Sequence, residues 1–462
     1  MKKYWSHFLS FIKKPENVFI SLSLFFGVLS AMLVPQLSVN DENMHYLRAY
    51  RISQGRVESG SQCTLPKDVA KRAEAIYEGN FSADYSKPID RKTLAIDKCS
   101  SASGYSPIMH LPQAIGINIA NLFGGSTGLT ILFGRLANIL FYSIAVYLII
   151  KWVRIGKWAF TAIGLIPLMI HMAASLSSDC MTNIAIFTIT AFTLNLFIQK
   201  DKLSYKQTAA LICIGVFLAL TKSVNALLLF PLLFLPKRLF SPNKNKRLLF
   251  NIQKWTILAV TGIAAIISII IWQKIYGQPL LTTGAAHNPL HSNPLKFIAI
   301  LFNTYISPTI GYTDVVLRGS VGEFSSFKYH LPLFVLIPLF SLLLLSLIHY
   351  NKKNQELLGE QTGKLAVYNL ATIGMFVCAV SYVMYTAWAL LPFRFGEGAY
   401  YADGVQGRYF TATAVMLVPV GLWLQKYINV RTKNEKVFNL IMFFGLALIL
   451  GFYIFETVWT YK

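Results

Sequence analysis

Long apolar runs alternate with short, strongly basic connectors along the chain. About 20 consecutive apolar residues suffice to cross a bilayer as a helix, and the pattern predicts about eleven crossings. Helix 1 is expected at about 17–37, helix 2 at about 128–150, and helices 3 and 4 at about 159–176 and 183–199. Ala209 to Pro236 is apolar except for Thr221, Lys222 and Ser223 at its middle, with basic clusters at both ends. That pattern predicts a hairpin of two short half-helices turning at Lys222. Helix 7 is expected at about 252–273, helix 8 at about 331–349, helix 9 at about 366–388, helix 10 at about 409–425 and helix 11 at about 437–458.

The chain thus divides into five parts. An N-terminal segment and first crossing (1–37) precede a large polar loop (38–127), whose last part, Ser106–Gly124, is amphipathic, broken by prolines and suited to a membrane interface. Crossings fill 128–273, a second large loop covers 274–330, and further crossings fill 331–462. The expected class is an all-α polytopic membrane protein.

Composition agrees. Of 462 residues 55% are hydrophobic and only 13% charged, against roughly 25% charged in soluble domains. The formal charge of +22 is concentrated in the connectors, as the positive-inside rule describes, so it does not point to nucleic acid. It places Lys2, Lys3, Lys13 and Lys14 in the cytoplasm and both large loops outside. The first crossing has no small-residue cleavage site and reads as a retained helix. No P-loop or glycine-rich dinucleotide motif is present.

This orientation sends most of the unusual polar residues to the outer side. After helix 1 come Asp41, Glu42, His45 and Arg48. In a helix Asp41, His45 and Arg48 recur at i, i+4 and i+7 and share a face. Asp41 and Glu42 suit a general base or a metal-binding pair; the plainer role is helix capping, with Ser38 as cap and Asp41 at the third position. Arg48, Lys222 and Arg408 are candidate phosphate clamps, with interface snorkelling as the alternative. His45 and His110 are candidate ligand contacts or structural hydrogen-bonding groups, and Asp179 is a ligand contact or a cap. Arg318 and Asp403 fall on the same side. Cys63 and Cys99 are the cysteines of the first loop, where an oxidising exterior favours a disulfide. The residues point to the catalytic edge of a membrane-embedded transferase.

The segment VPQLSVNDENMHYLRAYRISQG resembles the opening signature of the bacterial membrane proteins called domain of unknown function 2142. YSPIMHLPQAIGI, GRLANILFY, SSDCMTNIA, LTKSVNALLL and GVQGRYF resemble its later blocks in the same order. That family is grouped with the GT-C glycosyltransferases. The resemblance implies a GT-C-like fold and an outward-facing site using a polyprenyl-phosphate sugar donor from the membrane lipid. It also implies an acidic residue after helix 1, matched by Asp41, as base; the acceptor expected for such a site is a cell-envelope glycan, an identity that the resemblance does not supply. Where the family has proline after the acidic pair, this chain has Asn43. No nucleotide is required, and a divalent metal ion is compatible but not demanded. A transporter or flippase, or a non-catalytic assembly subunit for lipid-linked saccharides, are the alternatives.

Overall fold

Helix starts are written locally. Pro15 opens α2 (Pro15–Leu33), where its missing N–H costs no hydrogen bond. Ser126 caps α6 (Thr127–Trp152) by accepting a bond from the Leu129 N–H. The structure, a computed structural model, describes residues 2–57, 62–98, 101–240, 247–275, 295–307, 319–322, 324, 331–359, 361–389, 400–402, 404–428, 430 and 434–460. Among these, six helices are long and apolar enough to cross a membrane: Pro15–Leu33, Thr127–Trp152, Asp179–Ile198, Ile252–Lys274, Gln361–Thr386 and Glu435–Thr460. Shorter apolar helices are Tyr205–Thr221, Ser223–Phe234, Leu333–Ile348 and Arg408–Leu424.

Burial orders these helices. Asp179–Ile198 (α9) is 94% buried and forms the centre of the bundle, whereas Ile252–Lys274 is 11% buried. The latter exposes Ile263, Ile266, Ile267, Ile270 and Ile271. An apolar surface of that extent calls for hydrocarbon around it, so the protein is a helical membrane protein. Some polar groups inside the bundle pair across helices. The Tyr453 hydroxyl bonds Ser30 Oγ at 2.6 Å and His171 Nδ1 at 2.8 Å, tying the last long helix to α2 and α8 (Pro167–Ala173).

Several elements differ from the hydropathy pattern. The expected third crossing is two helices, α7 (Lys157–Gly164) and α8. Pro167 has no N–H to continue the ladder and holds Ile166 extended at ψ 131. α9 begins at Asp179 rather than 183. The half-helix hairpin consists of α10 (Tyr205–Thr221) and a 3₁₀ helix, Ser223–Phe234. α10 starts earlier than hydropathy suggests because Ser204 and Gln207 form a capping box. Its 17 residues rise about 26 Å. The 12 residues of the 3₁₀ arm reach about 24 Å at that helix's steeper rise, so the arms match in length. Arg408–Leu424 likewise changes from α to 3₁₀ at Ala412 and back at Val418, ahead of Pro419.

The 38–127 region is a small layer on one end of the bundle. It holds α3 (Glu42–Ser53), α4 (Lys67–Glu74) and the antiparallel strands β1 (Gln62–Pro66) and β2 (Leu94–Lys98), in register Gln62 to Lys98. Cys63 is buried and disulfide-bonded; its expected partner Cys99 lies outside the described residues. α5 (Leu111–Leu122) packs on α6 through Gly116, where a Cβ would come 2.2 Å from the Phe133 carbonyl oxygen. Its outer face exposes Leu111, Ile115, Ile119 and Leu122. Most of the second loop, with Arg318, lies outside the described residues, as does Asp403; the helix Lys296–Tyr305 falls within it.

Candidate functional site

The chain turns sharply between α2 and α3. Leu37 (φ 67) and Asp41 (φ 62) are the non-glycine residues with positive φ among the described residues. Two left-handed residues four positions apart store strain, which concentrates at functional sites. The turn moves the start of α3 to Glu42, so Asp41 is the N-cap rather than part of a shared helical face, and its side chain makes no capping bond. Ser38 does not cap the helix either; its hydroxyl donates to the Pro35 carbonyl. The Asp41 carboxylate is therefore turned outward, 57% exposed.

There it meets Arg408, whose Nη2 lies 2.5 Å from Asp41 Oδ2 and whose Nη1 donates to the Asn40 carbonyl at 3.3 Å. Arg408 Nε lies 3.6 Å from Asp179 Oδ2, and Lys222 Nζ donates to Asp179 Oδ1 at 3.0 Å. Asp41, Arg408, Asp179 and Lys222 thus form a ladder of alternating charge summing to zero. The ring of Tyr409 lies 4.7 Å from the Lys222 ammonium and 5.6 Å from the Arg408 guanidinium, close enough for cation–π attraction. Only Asp41 is largely open to solvent; Arg408, Asp179 and Lys222 have side chains 7%, 11% and 20% exposed.

Buried polar contacts hold the ladder in place. The turn before Asp179 is gripped by Gln113, whose amide donates to the Leu176 and Ser177 carbonyls, and by Asn138, which donates to Ser175 and Ser177. Lys222 sits at the bend between the two hairpin arms, and its backbone N–H still closes the last turn of α10. Beyond it is an apolar cavity of about 210 Å³, walled by Leu220, Ile269, Trp272, Phe376, Val380 and Met384 with Lys222 and Tyr409 at its polar end.

Glu42 and Arg48 face the other way. Glu42 is fully buried, and Arg135 meets its carboxylate with a bidentate fork at 2.7 and 2.6 Å. Glu42 Oε1 also accepts from the Leu176 N–H, while Arg135 donates to the carbonyls of Ala31, Val34 and Pro35. The pair thus joins the end of α2, α6 and the Asp179 turn. Arg48 is fully buried, donates to the Val57 and Tyr105 carbonyls and lies 5.8 Å from the Trp272 ring. Sequence reasoning passed over Arg135, although a lone charge in the apolar run of α6 was the available signal. Tyr409 and Tyr105, which line the cavity, carried no such signal.

His45 Nδ1 and His110 Nε2 are 2.9 Å apart, and the His45 ring stacks on Tyr105. Burial holds His45 down to about 4 against the opposing pull of Asp179 and Asp41, and holds His110 well below the usual imidazole value. Both are neutral at pH 7. The unfolded chain binds protons at these imidazoles near pH 6.5 while the folded chain resists them, so stability is full above 6.5 and is lost as pH falls toward 4. For His45 alone the loss approaches about 3 kcal/mol at the acid limit. Melting temperatures between pH 7.5 and 4.5 should show this slope, and a variant with glutamine at both positions should lose that part of it. An unchanged slope would contradict the buried, neutral pair.

Among the described residues no group of three or more His, Cys, Asp or Glu side chains is arranged to hold a metal ion. A family model described as a predicted membrane protein, DUF2142, matches residues 24–417. No curated protein and no solved structure matches the chain.

Proposed function

Because the chain belongs to the DUF2142 family of predicted membrane proteins, its charge ladder sits in a membrane-embedded bundle, and we propose that it transfers a sugar from a polyprenyl-phosphate carrier to a cell-envelope glycan. The observation that carries this reading is the junction of two chemistries. Lys222 stands at the polar end of an apolar cavity between membrane helices, and Asp179 links it to Arg408 behind. An amphiphile with a phosphate head and a hydrocarbon tail has that same division.

On this reading Arg408 and Lys222 hold the phosphate, and Asp179 keeps both cations fixed between turnovers. The phosphate competes with Asp41 for Arg408 Nη2 and so releases the Asp41 carboxylate. Asp41 then takes the proton from an acceptor hydroxyl, whose oxygen attacks the anomeric carbon. The bond from that carbon to the phosphate oxygen breaks, and the negative charge developing on the leaving group is met by preplaced cations. A single displacement inverts the anomeric configuration. Glu42 has no free carboxylate oxygen for this work and serves as scaffold.

Topology is part of the proposal. The six long apolar helices, the four shorter ones and the α7–α8 pair support eleven crossings. Lys13, Arg154, Lys157, Lys202 and Lys237 flank helix ends opposite the ladder, which favours a cytoplasmic N-terminus and an outward site in a bacterial cytoplasmic membrane.

Envelope glycans from cells with and without the gene should differ by one sugar-sized mass increment, restored by the wild-type chain. Unchanged glycans with lipid-linked saccharide accumulating would replace transfer with transport. No change in either pool would leave only an assembly role.

A further inference from the structure

Two imidazoles lie in contact beside the ladder, and the transfer described above uses neither. His45 Nδ1 and His110 Nε2 are 2.9 Å apart, so one of them carries the shared proton. The other end of the pair decides which. His110 is fully buried, and among the described residues its Nδ1 has no hydrogen-bond partner. A proton on Nδ1 would be a buried donor without an acceptor, costing about 1–3 kcal/mol. A bare ring nitrogen is tolerated better, since orphaned buried N–H groups are rarer than under-used acceptors.

The rest follows from neutral-imidazole chemistry, in which one nitrogen donates and the other accepts. With Nδ1 bare, the His110 proton sits on Nε2 and is donated to His45 Nδ1. His45 then carries its own proton on Nε2. Unlike His110, His45 keeps 6% of its surface open, and its ring is held by the Tyr105 stack, with centroids 6.1 Å apart and planes 19° apart. The charged groups acting on it are Asp179, Asp41, Arg408 and Lys222, all four members of the ladder. Arg48 acts on His110 and opposes a charge there.

We propose that His110 is a positioning residue: it fixes His45 in the tautomer protonated on Nε2, so that His45 offers a hydrogen-bond donor to an uncharged sugar oxygen of the ligand held at the ladder. The ligand half of this statement rests on the transfer reading; the tautomer half rests on geometry alone. The division of labour is chemical. Arg408 and Lys222 take the anionic oxygens of the phosphate, and a neutral N–H takes a hydroxyl or ring oxygen without adding charge. His45 is then neither acid nor base in the reaction.

The test reads the tautomer directly. The full-length chain, labelled with ¹⁵N-histidine in lipid nanodiscs at pH 7.5, should show both His45 and His110 protonated on Nε2 and bare on Nδ1. Replacing His110→Leu should release His45 into a mixture of tautomers, while His110→Gln, whose amide still donates, should hold it. A proton on His45 Nδ1, or a doubly protonated ring at that pH, overturns the proposal. A second readout uses side-chain reach, because a glutamine amide stands where Nε2 does and an asparagine amide where Nδ1 does. His45→Gln should retain the sugar increment within about threefold of wild type and His45→Asn should lose at least about tenfold, chiefly in kcat/KM. The reverse order would also overturn it. If the wild-type chain adds no sugar at all, the transfer reading fails while the nitrogen spectrum still decides the tautomer.

Discussion

Cells whose only copy carries Asp41→Asn should make normal amounts of folded protein and lose the sugar increment, with transfer slowed by about 10²–10⁴-fold. Asparagine accepts the left-handed backbone at Asp41 as readily as aspartate, and its carbonyl oxygen can still take the bond from Arg408 Nη2. The shape of the turn and most of the ladder therefore survive. What disappears is one negative charge and, on the proposed transfer, the site for the acceptor's proton. The ladder becomes net positive, so donor binding should hold or tighten while the chemical step fails. The checks are melting temperature in detergent, the mass of envelope glycans, and accumulation of unreacted lipid-linked sugar. Transfer at the wild-type rate would remove Asp41 as the base.

Its neighbour behaves differently. Glu42→Leu should destabilise the protein by about 3–5 kcal/mol, because it leaves Arg135 charged and unpaired in the interior. A loss of that size is a large share of the about 5–15 kcal/mol by which domains are stable, so the yield of folded protein in the membrane should fall. Adding Arg135→Met removes the stranded charge and should recover part of the loss. Recovery stops short because Arg135 also satisfies the carbonyls of Ala31, Val34 and Pro35. Yield and melting temperature of the two single variants and the double variant measure the coupling. A Glu42→Leu protein that melts like the wild type would contradict the structural role. Adjacent carboxylates are thus expected to give two distinct phenotypes, loss of the proposed transfer at Asp41 and loss of stability at Glu42.

The hydrophobic runs made much of the helical layout legible. Helix 2, expected at about 128–150, is found at Thr127–Trp152, and the last helix at Glu435–Thr460. Ser223–Phe234 is apolar on nearly every side, so no periodicity separated a 3₁₀ helix from an α-helix and its form was out of reach. The break at Pro167 was written in the residue itself. At the site, the assumption that α3 includes Asp41 put Asp41 and Arg48 on one face. A single left-handed residue undoes that register, turning Asp41 outward while Glu42 and Arg48 face the interior. Asp179, Lys222 and Arg408 each stood out as charges beside apolar helices, but their pairing came from contacts more than 40 positions apart.

The two ion-paired assemblies also differ in when a growing chain can complete them. Every group that Glu42 and Arg135 engage lies within residues 31–176, so the clamp can close before half of the protein has left the ribosome. The ladder must wait for Arg408, near the end of synthesis. Since chains emerge N-terminus first, the nascent protein builds its frame early and carries Asp41, Asp179 and Lys222 as an incomplete, net-negative trio until the final helices insert. A truncated chain ending before Arg408 would hold the frame without the completed ladder.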